Sequence, residues 1–367
     1  MKKHIWAIAY TAALLAFTVY VASDTFLISR SYNTNATEMN TSLFEFSESS
    51  SSESSLTTHK TESSSSEETS SFAQSSSAFS SYGETERPVS SAAESSAPQS
   101  STTIIETPPD EPSSVPEHEE SSTGGSFFLD DTHYQDDNIS ISLSQQRVYD
   151  TEVYIADIKL SSAQYLKSAF AFDTYGKNIT AVTSEIAAAH NAIFAINGDY
   201  YGIRESGFVI RNGIIYRDTP NEEVLCVYAD GNMEVIDPYT VSAEELAERR
   251  AWQVFSFGPA LVNNGAVAVD VNSEVKYSKT SNPRTAIGMI EPLHYVCVVS
   301  DGRTSESEGL SLYQLAEFMK GLGAVTAYNL DGGGSSSMVF NGKVINKPTS
   351  NGKRIAERSI SDIVYIG

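Results

Sequence analysis

A serine- and glutamate-rich stretch near the N-terminus limits what this chain can fold into. Residues 31–126 consist mainly of Ser, Thr, Glu and Pro and contain few apolar side chains that could form a core. Chains of this composition cannot bury enough apolar surface to offset the conformational entropy lost on folding. We therefore predict a disordered stalk over residues 31–126, which leaves residues 127–367 to form a folded domain.

The same stretch carries most of the charge of the chain. It holds 16 acidic and 2 basic residues, which accounts for −14 of the total net charge of −23. Like charges repel one another along a chain, so this composition favours an extended stalk. The acidity also argues against nucleic acid as a partner, because phosphate backbones bind to basic surfaces.

Residues 1–30 have the pattern of a membrane anchor. Lys2 and Lys3 precede an uncharged run from Ile5 to Ser23, and a helix over this run would rise about 28 Å, enough to cross a bilayer core. Basic residues before the run predict a cytoplasmic N-terminus. We therefore predict a single-pass signal-anchor in the cell membrane with an extracellular domain; cleavage after the run would instead give a secreted protein.

Short β-favouring runs alternate with turn sequences in the remaining chain. Pairs of such runs flank Asn-Gly or Asp-Gly turns, which predicts β-hairpins at 208–216, 224–236 and 260–269. Only Cys226 and Cys297 occur in the whole sequence, so the domain does not depend on a disulfide framework. Their spacing leaves two alternatives open, a single disulfide or two buried free thiols.

Helices interrupt these strands at only a few places. We predict them at 184–191, 242–250 and 311–321, and the last two open with capping boxes that begin at Ser242 and Ser311. Many hairpins and few helices predict an α+β domain with a mostly antiparallel or mixed sheet and a few flanking helices.

The segment 324–340 contains the most informative candidate site. A strand-like run ends at Asp331, three glycines and three serines follow, and Met338 resumes a strand. A carboxylate at a strand end beside bare backbone N–H groups suits an anionic or polyhydroxyl ligand. The alternative is a plain glycine hairpin in which Asp331 is only a turn residue.

Four further polar clusters occur where predicted strands begin or end. Arginine can bind a phosphodiester through forked hydrogen bonds, and carboxylates can provide acid–base or nucleophilic groups for cleavage at a sugar anomeric carbon. The clusters are Asn197-Gly198-Asp199-Tyr200-Tyr201, Asn282-Pro283-Arg284-Thr285, Ser300-Asp301-Gly302-Arg303 and Glu357-Arg358.

Together with the segment 324–340, these clusters resemble the phosphodiester glycosidase family. The resemblance covers most of residues 179–367 and includes the blocks at 195–201, 257–260, 282–288, 300–303, 312–323, 329–336 and 357–358. It implies hydrolysis of a sugar-1-phosphodiester, of the N-acetylglucosamine-1-phosphate type, in a cell-surface or exopolysaccharide glycan. Asp199 departs from the family pattern, where a small residue is expected, and could alter substrate choice or face solvent.

The resemblance and the residue chemistry together give each candidate a role. Asp331 and Asp301 are the leading catalytic carboxylates, and Glu357 is a third candidate. Arg284 and Arg303 are expected to hold the phosphate, while Arg358 is either an ion-pair partner of Glu357 or a further phosphate contact. The remaining candidates for substrate binding are Asn197, Gly198, Asp199, Thr285, Gly332, Gly333, Ser335 and Ser336.

Several alternatives stay open at this stage. A non-catalytic glycan-binding or adhesive surface module would use the same stalk and the aromatic side chains. A serine hydrolase centred on Ser335 or Ser336 is disfavoured, because the Gly-x-Ser-x-Gly nucleophile turn is missing from the sequence. Calcium is a possible cofactor, since Asp and Asn side chains with turn carbonyls provide hard oxygen ligands. The sequence does not give the oligomeric state.

Overall fold

The computed structural model describes residues 2–32, 39–44, 127–271 and 281–367. Most of the predicted stalk, residues 45–126, lies outside these ranges, so its disorder stays a prediction. The described part contains the helices α1 (Lys2–Phe26), α2 (Thr183–Ala189), α3 (Ala243–Glu248) and α4 (Leu312–Gly321). The three helices predicted in the domain are therefore present, and both predicted capping boxes form at α3 and α4.

Strands make up most of the regular structure. They are β1 (Arg30–Ser31), β2 (Phe128–Leu129), β3 (His133–Gln135), β4 (Ile139–Val148), β5 (Thr151–Leu160), β6 (Leu166–Phe170), β7 (Gly176–Lys177), β8 (Phe194–Asn197), β9 (Val209–Arg211), β10 (Ile214–Arg217), β11 (Val224–Tyr228), β12 (Met233–Ile236), β13 (Ala251–Phe255), β14 (Ala260–Asn263), β15 (Ala266–Val267), β16 (Arg284–Glu291), β17 (His294–Ser300), β18 (Thr326–Asn329), β19 (Met338–Phe340), β20 (Lys343–Val344) and β21 (Asp362–Ile366).

These strands form one large sheet and two smaller ones. The large sheet has nine strands in the order β15-β14-β18-β16-β17-β5-β4-β3-β2, and the five-stranded sheets have the orders β10-β9-β13-β11-β12 and β20-β19-β8-β21-β6. All of the described strand pairs in them are antiparallel, which confirms the predicted sheet-rich α+β fold. The predicted hairpins correspond to β9–β10, β11–β12 and β14–β15.

The main hydrophobic core lies between the sheets. Ile287 of β16 faces this core and packs in one cluster with Phe255 of β13 and Val364 of β21. Ala286, the preceding residue, faces the opposite side of the large sheet and packs with Leu315 of α4. Successive side chains of a strand point to opposite faces, so the large sheet has one face toward the smaller sheets and one covered by α4.

The N-terminal part of the described chain contacts the folded domain. β1 pairs with β7, and the ring of Phe44 lies edge-on to Trp252 with 5.0 Å between centroids. Within the residues that the structure describes, no helix is long and apolar enough to cross a membrane. The anchor predicted over residues 1–30 is therefore not shown.

The two cysteines occupy separate strands of different sheets. Cys226 lies in β11 and Cys297 in β17, and both are buried free thiols rather than a disulfide. Burial raises the pKa of both thiols above the ordinary value for cysteine. The structure thus resolves the alternatives left open by the sequence in favour of inert thiols in the core.

Candidate active site

The candidate residues converge because antiparallel pairing brings the start of β16 and the ends of β17 and β18 to the same end of the large sheet. Arg284, the first residue of β16, pairs with Ser300, the last residue of β17. Two residues further along β16, Ala286 pairs with Asn329, the last residue of β18. The loops that follow β17 and β18 therefore leave the sheet side by side, and they carry Asp301 and Asp331.

The glycine-rich segment after Asp331 connects two different sheets. β18 belongs to the nine-stranded sheet and β19 to a five-stranded sheet, so the alternative of a plain glycine hairpin is wrong. Gly333 has a φ of 63° and its N–H donates to Pro283 O at 2.8 Å. A Cβ at Gly332 would lie 2.9 Å from the same carbonyl oxygen, so both positions require glycine.

Asp331 is a buried carboxylate with two donors. Its Oδ2 accepts a hydrogen bond from Arg358 Nη2 at 2.9 Å, and its Oδ1 accepts one from the Gly332 N–H at 2.9 Å. The side chain is 9% exposed. Burial raises the pKa of Asp331, and the charge of Arg358 only partly offsets this effect.

Arg358 is the counter-ion of Asp331 and reaches the surface. Its Nε and Nη2 also donate to Ser335 Oγ at 2.9 and 2.6 Å, and its guanidinium lies 5.6 Å from the ring centroid of Tyr200. The side chain is 39% exposed, so part of its charge faces solvent. The predicted pairing of Arg358 with Glu357 is wrong, because Arg358 pairs with Asp331.

Arg303 places a second guanidinium beside the same loop. Its Nε and Nη2 donate to Asn282 Oδ1 at 3.2 and 3.0 Å, and its Nη1 donates to Ser350 O at 2.6 Å. A Cβ on Gly333 would lie 2.8 Å from Nη2, so the guanidinium lies against the glycine loop. Burial and the nearby charge of Arg358 lower the pKa of Arg303. Two arginines are thus close enough to share one anionic ligand.

Asp301 belongs to an interior network next to this site. Its Oδ1 accepts from Asn346 Nδ2 at 3.2 Å and from the Lys347 N–H at 2.8 Å, and its Oδ2 accepts from Tyr154 Oη at 3.3 Å. Asn346 Nδ2 in turn donates to Ser336 O at 2.9 Å. Asp301 is buried, and this burial raises its pKa. The network fixes the loop that follows Asp331.

Glu357 points away from the cluster and toward a helix. Its carboxylate accepts hydrogen bonds from the N–H and the hydroxyl of Ser184, in the first turn of α2. The N-cap residue of this helix, Val182, makes no side-chain capping hydrogen bond, so Glu357 provides the cap from elsewhere in the chain. The structure therefore brings Arg358, and not Glu357, to Asp331.

Asn197 joins the two sheets behind the carboxylate. Its Nδ2 donates to Asp331 O at 2.6 Å, while its Oδ1 accepts from Thr285 Oγ1 at 2.8 Å and from the Ser337 N–H at 3.2 Å. The N–H of Asp331 donates to Gly198 O at 3.2 Å. These buried groups hold the main chain of Asp331 on both sides, so they position the carboxylate.

Asp199 is buried, so the alternative that it faces solvent is wrong, and its effect on substrate choice stays a prediction. It is 1% exposed and forms an ion pair with Arg211 at 2.8 Å. Arg211 also pairs with Asp362 at 2.9 Å, which makes a buried triad of two carboxylates and one guanidinium. Burial alone would lower the pKa of Arg211, but the charges of Asp199 and Asp362 outweigh this effect and raise the pKa above its ordinary value.

Asp362 carries the unusual proton affinity of this triad. Burial and the charge of Asp199 raise its pKa to about 7, against the opposing effect of Arg211. A Cβ on Gly198 would lie 2.3 Å from the carboxylate of Asp362, so the triad packs directly beneath the segment that supports Asp331. Sequence reasoning missed Arg211 and Asp362, because a hairpin turn and a strand start gave no sign that they meet.

The position of Arg284 differs from that of the other candidates. Thr285 faces Asn197, and alternation along β16 places Arg284 on the opposite face of the sheet. Its Nε donates to Leu310 O at 2.9 Å, just before α4. The structure therefore does not place its guanidinium beside those of Arg303 and Arg358, and its role as a phosphate ligand stays a prediction.

Two further predictions concern metal and hydroxyl groups. Nowhere in the described ranges do three His, Cys, Asp or Glu side chains gather as a metal site would require, and the calcium prediction stays a prediction. Ser336 Oγ is buried and has no hydrogen-bond partner among the described residues, whereas Ser335 Oγ accepts from Arg358.

The fold and the site together define a sheet-rich α+β protein with a buried carboxylate beside two arginines, an arrangement suited to an anionic ligand. Residues 190–367 match the model of the family described as phosphodiester glycosidase. The resemblance read from the sequence blocks is thereby confirmed.

Individual proteins are similar to this chain at modest identity. An uncharacterized SPbeta prophage-derived protein of Bacillus subtilis is 27% identical over 252 residues, which cover 62% of this chain and 38% of that protein. The mouse N-acetylglucosamine-1-phosphodiester alpha-N-acetylglucosaminidase is 31% identical over 120 residues, covering 32% of this chain and 23% of the mouse protein. The chain thus spans well under half the length of these curated relatives.

A solved structure has a similar fold. The zebrafish N-acetylglucosamine-1-phosphodiester alpha-N-acetylglucosaminidase catalytic domain superposes with a TM-score of 0.50 at 19% identity, over 62% of this chain and 82% of that domain. At this identity the likeness concerns the fold alone.

Proposed function

We propose that this chain hydrolyses a sugar-1-phosphodiester by breaking the bond between the anomeric carbon and the phosphate oxygen. The observation that carries the proposal is the buried Asp331 carboxylate, held by Arg358 and Gly332, with the Arg303 guanidinium packed against the glycine-rich loop that follows it. The match of residues 190–367 to the phosphodiester glycosidase family model supports the same reaction class.

The arginines suit the leaving group of this reaction. When the bond breaks, its electron pair goes to the phosphate oxygen and a phosphomonoester leaves, while water adds to the anomeric carbon and gives a free sugar. The departing group is a stable anion, so Arg303 and Arg358 can stabilise it by charge without a strong general acid. Such donors commonly contribute about 10²–10³-fold in rate.

Asp331 is the carboxylate that we assign to the reacting carbon. It acts either as a nucleophile or as the base that activates water, and both roles require the ionised form. Burial raises the pKa of Asp331, so the ionised form is lost earlier when the pH is lowered. Activity is therefore expected to decrease on acidification at a higher pH than it would with an ordinary aspartate. We assign Asp301 and Glu357 to positioning, since their contacts fix the loop and α2 respectively.

The substrate class and the location belong to the same proposal. The name of the mouse relative supports an N-acetylglucosamine-1-phosphodiester as the first substrate to test. Membrane attachment, an extracellular domain and a cell-surface or exopolysaccharide glycan are supported by the sequence of residues 1–126 alone. Cell fractionation with protease treatment of intact cells tests this location, because an external domain is cleaved and a cytoplasmic one is protected.

The test of the activity is release of N-acetylglucosamine from such a phosphodiester. Asp331→Asn is expected to lower kcat at least about 100-fold, and Arg358→Ala about 10²–10³-fold. Asp131→Asn and Arg354→Ala, at exposed positions of the same residue types, serve as matched controls and should retain the wild-type rate. Binding without any turnover by folded protein would contradict the proposal and favour the glycan-binding module. Exhaustive chelation in the same assay tests the calcium prediction.

A further inference from the structure

A pocket is lined by the chain segment that directly follows Tyr200. It has a volume of about 430 Å³ and is lined in part by Tyr201 and Arg204. Tyr200, which precedes this lining segment, contacts Arg358 of the active site. Four residues of chain span at most about 14 Å. The short segment 200–204 therefore contacts the active site at one end and lines the pocket at the other. A pocket of this volume is in the range of ordinary small-molecule sites.

Tyrosine side chains form the walls of this pocket. The rings of Tyr175 and Tyr201 stack with 5.0 Å between centroids and 17° between planes. The ring centroid of Tyr216 lies 5.1 Å from that of Tyr175, and the centroid of Tyr32, from the N-terminal segment, lies 5.5 Å from it. Aromatic faces with polar hydroxyl ends suit a ligand that has both apolar ring faces and hydroxyl groups, as a sugar does.

Two arginines, Arg204 and Arg217, also line the pocket. Arg204 Nη1 donates to Ser256 O at 2.8 Å, and Arg217 donates through Nε to Gly207 O at 2.6 Å and through Nη1 to Arg204 O at 2.6 Å. Neither arginine forms an ion pair with a carboxylate of the described chain. The nearby Lys177, in contrast, is paired with Glu205 at 2.9 Å.

This arrangement is electrostatically incomplete. Both arginines are half-buried, and burial lowers the pKa of Arg217 because the charged form loses solvation. Carbonyl oxygens satisfy some of the N–H groups but do not neutralise the charge. An anion in the pocket would restore the lost solvation and add charge-assisted hydrogen bonds. The chain as a whole carries a net charge of −23, so two neighbouring arginines that form no ion pair within the described chain are a local feature of this pocket.

We propose that this pocket, which we call the tyrosine pocket, binds a phosphorylated sugar unit. The phosphate would contact Arg204 and Arg217, and the sugar ring would lie against the tyrosines. This binding extends the proposed function: the bound sugar phosphate is the unit of the polymer next to the linkage that is cleaved at Asp331. That extension rests on the proposed function, whereas the binding itself does not.

The experiment measures binding of N-acetylglucosamine-1-phosphate by calorimetry to the full chain. Arg303→Ala combined with Arg358→Ala removes the guanidinium groups of the active site, so binding that remains reports on the tyrosine pocket. The expected result is one remaining site, whose affinity falls at least tenfold when Arg204→Met is added. Arg354→Met, at an exposed position, is the matched control and should leave that affinity unchanged.

Arg204→Met is preferred to Arg217→Met because Arg217 bonds more main-chain carbonyls and its loss threatens the fold. A melting curve confirms that each variant is folded. Failure of the Arg303→Ala/Arg358→Ala chain to bind overturns the proposal, and so does binding that Arg204→Met does not weaken. Inorganic phosphate is the second probe, and equal affinity for it would overturn the sugar part.

The two proposals fail separately. Turnover of a small phosphodiester by the wild-type chain tests the function, and calorimetry on the Arg303→Ala/Arg358→Ala chain tests the tyrosine pocket without any turnover.

Discussion

Replacement of Arg211 by methionine is the sharpest test of how the site is supported. Arg211 is the only cation that the described structure places between Asp199 and Asp362, and all three side chains are at most 1% exposed. Arg211→Met would leave the Asp199 carboxylate buried without a counter-charge, while Asp362 would lose the cation that lowers its pKa and take up a proton. Breaking a buried ion pair in this way costs about 3–5 kcal/mol, and lost hydrogen bonds to Ile210 O and Val254 O add to it.

This cost translates into a large change in melting temperature. For a domain of 150–250 residues, 1 kcal/mol corresponds to roughly 2–4 °C, so Arg211→Met is expected to lower Tm by about 6–20 °C. Thermal and urea unfolding at neutral pH measure it. Arg354→Met, an exposed arginine, should change the free energy of unfolding by less than about 0.5 kcal/mol.

A second variant separates charge from packing. Adding Asp199→Asn to Arg211→Met removes the buried carboxylate charge that has lost its counter-ion, so part of the lost stability should return. If the free energy of unfolding of Arg211→Met is within about 1 kcal/mol of the wild-type value, the triad is not a buried charged cluster and the reasoning is refuted.

Three further predictions concern the same framework. Gly198→Ala should destabilise by about 1–3 kcal/mol because the new Cβ meets the Asp362 carboxylate, whereas Gly321→Ala, where nothing lies within 4 Å, should not; urea unfolding compares them. Asp362 has a pKa of about 7 in the folded state and about 3.9 in the unfolded state. Its protonation therefore contributes stability that is lost as the pH rises from about 4 to 7. The free energy of unfolding should decrease less steeply over that range for Asp362→Asn than for the wild type. Glu357→Ala removes the cap of α2 and should cost about 1 kcal/mol of unfolding free energy.

Local sequence signals predicted much of this fold. Asn-Gly and Asp-Gly turns fix hairpin positions through the backbone conformations of a few residues, so β9–β10 and β11–β12 could be read directly. Capping boxes likewise depend on residues three apart, and both formed as predicted. Asp331 at a strand end, followed by glycines, was visible for the same reason.

The contacts between distant segments could not be read in this way. Arg211 pairs with Asp362 across 151 positions, and Glu357 caps a helix 173 positions away. Nothing in the neighbouring residues encodes such partners, so the sequence predicts neither the pairing of Asp199 with Arg211 nor that of Arg358 with Asp331. β4 was also overlooked, although Ile139-Ser140-Ile141-Ser142 alternates as a half-buried strand does.

The position of bond cleavage tests the central claim most directly. The wild-type chain is incubated with an N-acetylglucosamine-1-phosphodiester in ¹⁸O-labelled water, and both products are analysed by mass spectrometry. If Asp331 acts at the anomeric carbon and the arginines receive the phosphate, the label enters the released sugar and the phosphomonoester stays unlabelled. Label in the phosphate would mean that water attacks phosphorus, and the assignment of a glycosidase site around Asp331 would be wrong.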